Sequence, residues 1–131
     1  MARSTLPRPT DGELAILRVL WTGGPATVRD IHAKLQGDGG RAVGYTTVLK
    51  LLQIMTEKGL ARRDETDRSH VYRAAASEDH TQKQLVRDLL DRAFGGSARK
   101  LILHALSAKK ATPAELDEIR RLLDHMKGDD K

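Results

Sequence analysis

Apolar residues recur along this chain at helical spacing, in segments separated by glycine-rich breaks. Leu14, Leu17 and Trp21 stand at i, i+3 and i+7, with Ile16 and Leu20 beside them, which predicts a first helix with one buried stripe. Thr10 and Glu13 have capping-box spacing at its start, and Gly23-Gly24-Pro25 ends it. Thr27 caps a second helix whose apolar face is Val28, Ile31 and Leu35, up to the break at Gly37-Asp38-Gly39-Gly40. A third helix starts near Gly44 or Tyr45, buries Val48, Leu51, Leu52 and Met55, and stops at Gly59. The period then changes: Leu60–Asp64 and Ser69–Arg73 are short strand-like runs around the polar turn Thr66-Asp67-Arg68, which predicts a hairpin.

From Ser77 the helical period returns. Leu85, Val86, Leu89, Leu90 and Ala93 mark a fourth helix, stopped by Gly95-Gly96, and Leu101, Ile102, Ala105 and Leu106 mark a shorter fifth. Thr112-Pro113-Ala114-Glu115 starts a sixth, with Leu116, Ile119, Leu123 and Met126 in a heptad-like seam. The final Gly128–Lys131 reads as frayed.

Helix, helix, helix, hairpin is the order of a winged helix-turn-helix, in which the third helix enters the major groove and the wing follows the backbone. The expected fold class is mainly α with a small β-hairpin: a winged helix-turn-helix over residues 1–76, with 1–9 as a flexible arm, and a three-helix dimerisation domain over 77–131. The outer side of helix 3 carries short hydroxyls and amide or amine tips at Thr46, Thr47, Lys50 and Gln53. Threonine methyls can touch thymine methyls, and Lys50 and Gln53 can reach base edges or phosphates. Arg62, Arg63, Arg68, His70 and Arg73 in the hairpin suit phosphate contacts. Each feature has a plainer use: Thr46 and Thr47 as helix caps, Tyr45 as packing, Arg62 and Arg63 as a charged edge that discourages strand pairing. The seam of helix 6 can fold back on its own domain, but helices 4 to 6 are too few and short to bury their apolar faces alone, which favours a symmetric dimer. Leu85, Leu89, Leu101, Leu116, Ile119, Leu123 and Met126 are its candidate interface.

Charge agrees with a polyanionic partner. The 131 residues carry a net charge of +5, and residues 1–76 hold 12 basic against 8 acidic residues, while 77–131 hold 11 against 10. There is no cysteine, which excludes disulfides, thiolate metal sites and cysteine nucleophiles. No apolar run approaches the ~20 residues that cross a bilayer, and the first residues lack the apolar core of a signal peptide, so membrane insertion is not expected and a cytoplasmic location is. The five histidines show no tight metal-ligand spacing, and no nucleophile–base constellation or phosphate-binding glycine loop is visible. Neither enzymatic activity, metal nor cofactor is expected. The alternative to DNA binding is a winged-helix protein–protein interaction module, which has no preference for duplex DNA.

The segments Asp11-Gly12-Glu13-Leu14 through Leu20-Trp21, Gly44–Leu52, Glu57-Lys58-Gly59-Leu60 and Arg68-Ser69-His70-Val71-Tyr72 together resemble the penicillinase-repressor (BlaI/MecI/CopY) family of bacterial winged-helix transcriptional regulators. The resemblance spans about Thr10 to Met126. It implies a homodimeric repressor of a resistance or stress operon that sits on inverted-repeat DNA operators. Base reading would come from Tyr45, Thr46, Thr47, Leu49 and Lys50, and backbone contact from the Arg62–Arg73 hairpin. Copper-responsive relatives use a cysteine-rich metal site, which this chain cannot form. Relatives that respond to β-lactams are cleaved at an Asn-Phe bond; here His104-Ala105 takes that place and is the candidate cleavage site. The corresponding partner would be a membrane-bound zinc metalloprotease sensor.

Overall fold

The computed structural model of the chain describes residues 8–37, 43–66 and 68–129. Its elements run α1 (Asp11–Gly23), β1 (Ala26–Thr27), α2 (Val28–Gly37), α3 (Tyr45–Lys58), β2 (Ala61–Asp64), β3 (Val71–Ala74), α4 (Glu78–Ala93), α5 (Ala98–Ala108) and α6 (Pro113–Asp129). Residues 1–7 of the expected arm, Asp38–Gly40 of the expected break and Asp67 of the expected turn lie outside the described residues.

The capping box at Thr10 is formed. The Thr10 hydroxyl accepts from the Glu13 N–H at 3.3 Å, and Glu13 Oε1 accepts from the Thr10 N–H at 2.9 Å. The buried line of α1 is Glu13, Ile16, Leu17 and Leu20, rotated from the expected Leu14–Leu17–Trp21 stripe. Two polar demands turn the helix. The Glu13 carboxylate has an inward partner in Lys58 Nζ at 2.7 Å, and the Trp21 indole N–H reaches the Ala76 carbonyl at 2.9 Å, which holds its ring at the margin of the core. Burial pushes the Glu13 carboxyl up, but the hydrogen bonds from Lys58 and Thr10 and the Lys58 charge outweigh it and hold it below its ordinary value.

The core joins Ile16, Leu17 and Leu20 of α1, Val28 and Ile31 of α2, and Val48, Leu52 and Met55 of α3 to Leu60, Ala61 and Tyr72. Gly59 closes α3 in the left-handed region at φ +85°, and the Leu60 N–H returns to the Met55 carbonyl at 2.8 Å. The expected hairpin forms as the antiparallel pair β2–β3, and β1 adds a third strand to it in the order β1-β3-β2. Ala26 pairs with Tyr72 and Thr27 with Val71. β1 is two residues long and has no periodicity of its own; β3 creates it.

The chain divides into two compact units, Met1–Leu85 and Val86–Lys131, the division falling within α4. The second unit holds the end of α4 and all of α5 and α6. Gly95 and Gly96 turn the chain at φ +57° and +81°, Ser97 caps α5, and Thr112 and Glu115 cap α6 reciprocally. α6 continues through Gly128 and Asp129, which the sequence pattern places in a frayed tail.

Candidate nucleic-acid interface

α3 sorts its residues cleanly between two sides. Val48, Leu52 and Met55 are wholly buried. Thr46, Lys50, Gln53 and Glu57, at i, i+4, i+7 and i+11, form one exposed row with Thr47 beside it. Gly44 is the N-cap, and no side chain caps the helix, so the hydroxyls of Thr46 and Thr47 are not spent on capping. The row therefore offers methyl and hydroxyl groups, an amine and an amide, the chemistry that matches thymine methyls, guanine acceptors and the adenine edge. Glu57 places a negative charge at the far end, which restricts close approach of a phosphate backbone to the first two turns. Recognition helices make their base contacts from that end. Leu49 is half-buried against the core and stands off the exposed row.

Strand register decides what each wing arginine can do. Arg62 lies opposite Arg73, and Arg63 opposite Tyr72. Paired residues share a face, so Arg62 and Arg73 stand together on the outer face, while Arg63 stands on the side of the buried Tyr72. Two like charges directly opposed repel each other, and the Asp64 carboxylate, whose pKa is lowered in part by the Arg73 charge, offsets some of that repulsion. Arg63 Nε donates to Glu65 Oε2 at 2.8 Å. The Tyr72 hydroxyl first, then Glu65, hold its guanidinium above its ordinary value. Asp64 accepts from the Thr66 N–H at 3.0 Å and hydroxyl at 2.8 Å, and these bonds hold its carboxyl below its ordinary value. The wing is thus braced at Arg63 and Asp64 and presents Arg62 and Arg73.

Arg68, Ser69 and His70 line a cleft with Thr27, Arg29, Tyr45 and Leu49. Tyr45 is 49% exposed there, with the ring of His32 against it at 5.7 Å and 70°. Arg29 lines the same cleft and is not among the contact residues expected from the sequence. Its signal in the sequence is weak: a cation in the first turn of α2 sits against the helix dipole, but Asp30 beside it offsets that cost.

In the second unit α5 has no buried residue, and Leu89, Leu116, Leu123 and Met126 are exposed, with Leu101 and Ile119 half-buried. Leu85 is half-buried and falls in the first unit. Val86, Ile102, Leu103, Leu106 and Leu122 are exposed as well and widen this apolar surface beyond the expected interface residues. His104 and Ala105 lie exposed within α5, the His104 ring 5.7 Å from that of Phe94. Among the described residues no group of three or more His, Asp or Glu is placed to hold a metal ion, and no helix is long and apolar enough to cross a membrane.

A family model described as penicillinase repressor matches residues 9–125. The transcriptional regulator BlaI of Mycobacterium tuberculosis is 33% identical over 120 residues, which cover 90% of this chain and 84% of that one. A penicillinase repressor of Staphylococcus aureus is 19% identical over 111 residues, 85% of this chain and 86% of that one. Among solved structures, RosR of H. salinarum is similar in fold, with a TM-score of 0.54 at 18% identity, covering 95% of this chain and 98% of that one.

Proposed function

The chain belongs to the penicillinase repressor family, and on that premise we propose how this winged-helix, DNA-binding transcriptional repressor works. A homodimer reads an inverted-repeat operator in front of a resistance or stress operon. The first two and a half turns of α3, Tyr45 to Gln53, enter the major groove of each half-site, and the β2–β3 wing follows the flanking backbone. The observation that carries this reading is the exposed row Thr46, Lys50, Gln53 on a helix whose start has no side-chain cap. Arg62 and Arg73 on the outer wing face, and Arg29, Arg68 and His70 around Tyr45, supply phosphate contacts. Arg63 acts by bracing the wing, and Leu49 by seating α3 on the core.

Residues 1–76 are the DNA-binding domain in this reading and 77–131 the dimerisation domain. The exposed leucines and Met126 of α4–α6 support that assignment, because a second copy is what buries such a surface. Release by proteolysis at His104–Ala105, through a membrane-bound metalloprotease sensor, belongs to the same reading. A helical bond is cut after local unwinding, and α5, with no buried side chain, has little to oppose unwinding.

A gel shift on the DNA upstream of its own gene, against random duplex and across a salt series, tests the reading. Selective binding whose log affinity falls by about 0.9 per phosphate neutralised is expected. Lys50→Ala should weaken operator binding by roughly 1–3 kcal/mol and relax selectivity. Equal binding of wild type to every duplex would instead favour a polypeptide partner for the α3 face.

A further inference from the structure

We infer that the Glu13–Lys58 ion pair is a positioning device for α3, setting how its exposed row is presented to DNA; this rests on the base-reading role proposed for that row. Glu13 Oε1 accepts from both Lys58 Nζ at 2.7 Å and the Thr10 N–H at 2.9 Å. One oxygen therefore ties the first turn of α1 to the last turn of α3, 45 positions away. The Glu13 side chain is 2% exposed and that of Lys58 28%. A lysine at a helix C-terminus serves the helix dipole equally well pointing to water. Here its amine turns inward to a buried carboxylate, an arrangement that rarely outdoes an apolar pair in stability and that in some proteins specifies geometry instead.

A second contact defines a line. A Cβ on Gly12 would come within 3.3 Å of Leu51 Cδ1, so the first turn of α1 also lies against Leu51. Leu51 and Lys58 are seven residues apart and share one side of α3. Together with the buried face of Val48, Leu52 and Met55, these two anchors along one side set the tilt and rotation of the helix. Thr46 lies about 18 Å along the axis from Lys58. Without the Lys58 tie the helix pivots about the remaining contact at Leu51, about 7.5 Å along the axis from Thr46, and a tilt of about 10° then moves Thr46 by roughly 1.3 Å, enough to break a hydrogen bond to a base edge. A positioning role follows without either residue touching DNA.

The test uses the full chain with Lys58→Met, with the Glu13→Gln/Lys58→Met pair, which leaves no buried charge uncompensated, and with Lys58→Arg, whose guanidinium reaches the same carboxylate. Thermal melts establish that each variant is folded. The operator-to-random affinity ratio should fall roughly tenfold for the first two, the worth of one base contact. The salt slope should stay unchanged, since no phosphate contact is lost, and Lys58→Arg should restore the ratio. In NMR spectra the amide signals of Tyr45–Leu49, more than two turns from Lys58 and clear of the Gly12–Leu51 contact, should shift. A ratio within about twofold of wild type, with shifts confined to the neighbours of residues 13 and 58, would overturn the inference. Lys50→Ala run alongside separates the failures. If it too leaves the ratio unchanged, or wild type shows no selectivity, the base-reading assignment falls and the amide shifts alone decide whether the pair positions α3.

Discussion

The two units of this chain solve the burial problem in opposite ways. In the first, three short helices and a three-stranded sheet enclose Ile16, Ile31, Val48, Leu52, Met55 and Tyr72 almost completely. In the second, α5 keeps no side chain buried, and leucines and a methionine line its surface and that of α6. Helical spacing of apolar residues produced both. The difference is what faces them: α1 and the sheet supply walls for α2 and α3, whereas α5 and α6 lack such walls. An amphipathic helix is half of a contact, and where the chain does not provide the other half a second molecule can.

The largest effect that would test this contrast is in the first unit. Leu52→Ala should cost about 2–5 kcal/mol in urea unfolding followed by circular dichroism, and operator binding with it. A cost below about 1 kcal/mol would mean that this core is looser than its burial indicates. Next comes Leu123→Asp in the second unit. It should remove roughly 1.5–3 kcal/mol of apolar burial per copy, turn the proposed dimer into a monomer in sedimentation velocity, and leave the unfolding of the first unit unchanged. A variant that stays dimeric would erase the distinction between the units.

Smaller effects sharpen the picture within the first unit. Arg62→Ala should lower the salt slope of DNA binding by about one without loss of stability. Arg63→Ala should loosen the wing by removing the Tyr72 and Glu65 contacts, visible as faster amide exchange in β2 and β3. The smallest effect is acid sensitivity. Because the Glu13 carboxyl is held below its ordinary value, its stabilisation is complete above the unfolded carboxylate value and is lost as pH falls through the lower folded one. Urea midpoints should therefore fall on acidification below about pH 4.5, and less so in Glu13→Gln. An identical acid limb in both proteins would remove Glu13 from that account.

Most of the helical plan was legible in the sequence because caps are local: Thr10 with Glu13, and Thr112 with Glu115, declare helix starts within four residues. The exposed row of α3 was legible for the same reason, since helical phase follows from one fixed face. What eluded the pattern depends on long-range partners. β1 exists because β3 pairs with it. The buried side of α1 turned because Glu13 found Lys58, and counting apolar residues alone cannot place a carboxylate inside. Arg62 and Arg63 are neighbours of the same type, and only the register against Tyr72 and Arg73 separates a brace from a free contact. Arg29 joined the cleft through folding of the chain, although its position against the helix dipole was visible beforehand.

The chain contains a single tryptophan, and its indole N–H is bound to the Ala76 carbonyl, two residues before α4 begins. That bond makes Trp21 a built-in optical gauge. Its emission registers whether the segment leaving the wing stays fastened to α1, so events confined to α5 and α6, among them the proposed dissociation of copies and the proposed cut, leave the colour unchanged. A red shift marks loosening of the first unit itself, and one fluorescence trace can then distinguish a repressor that has lost its proposed partner copy from one that has lost its fold.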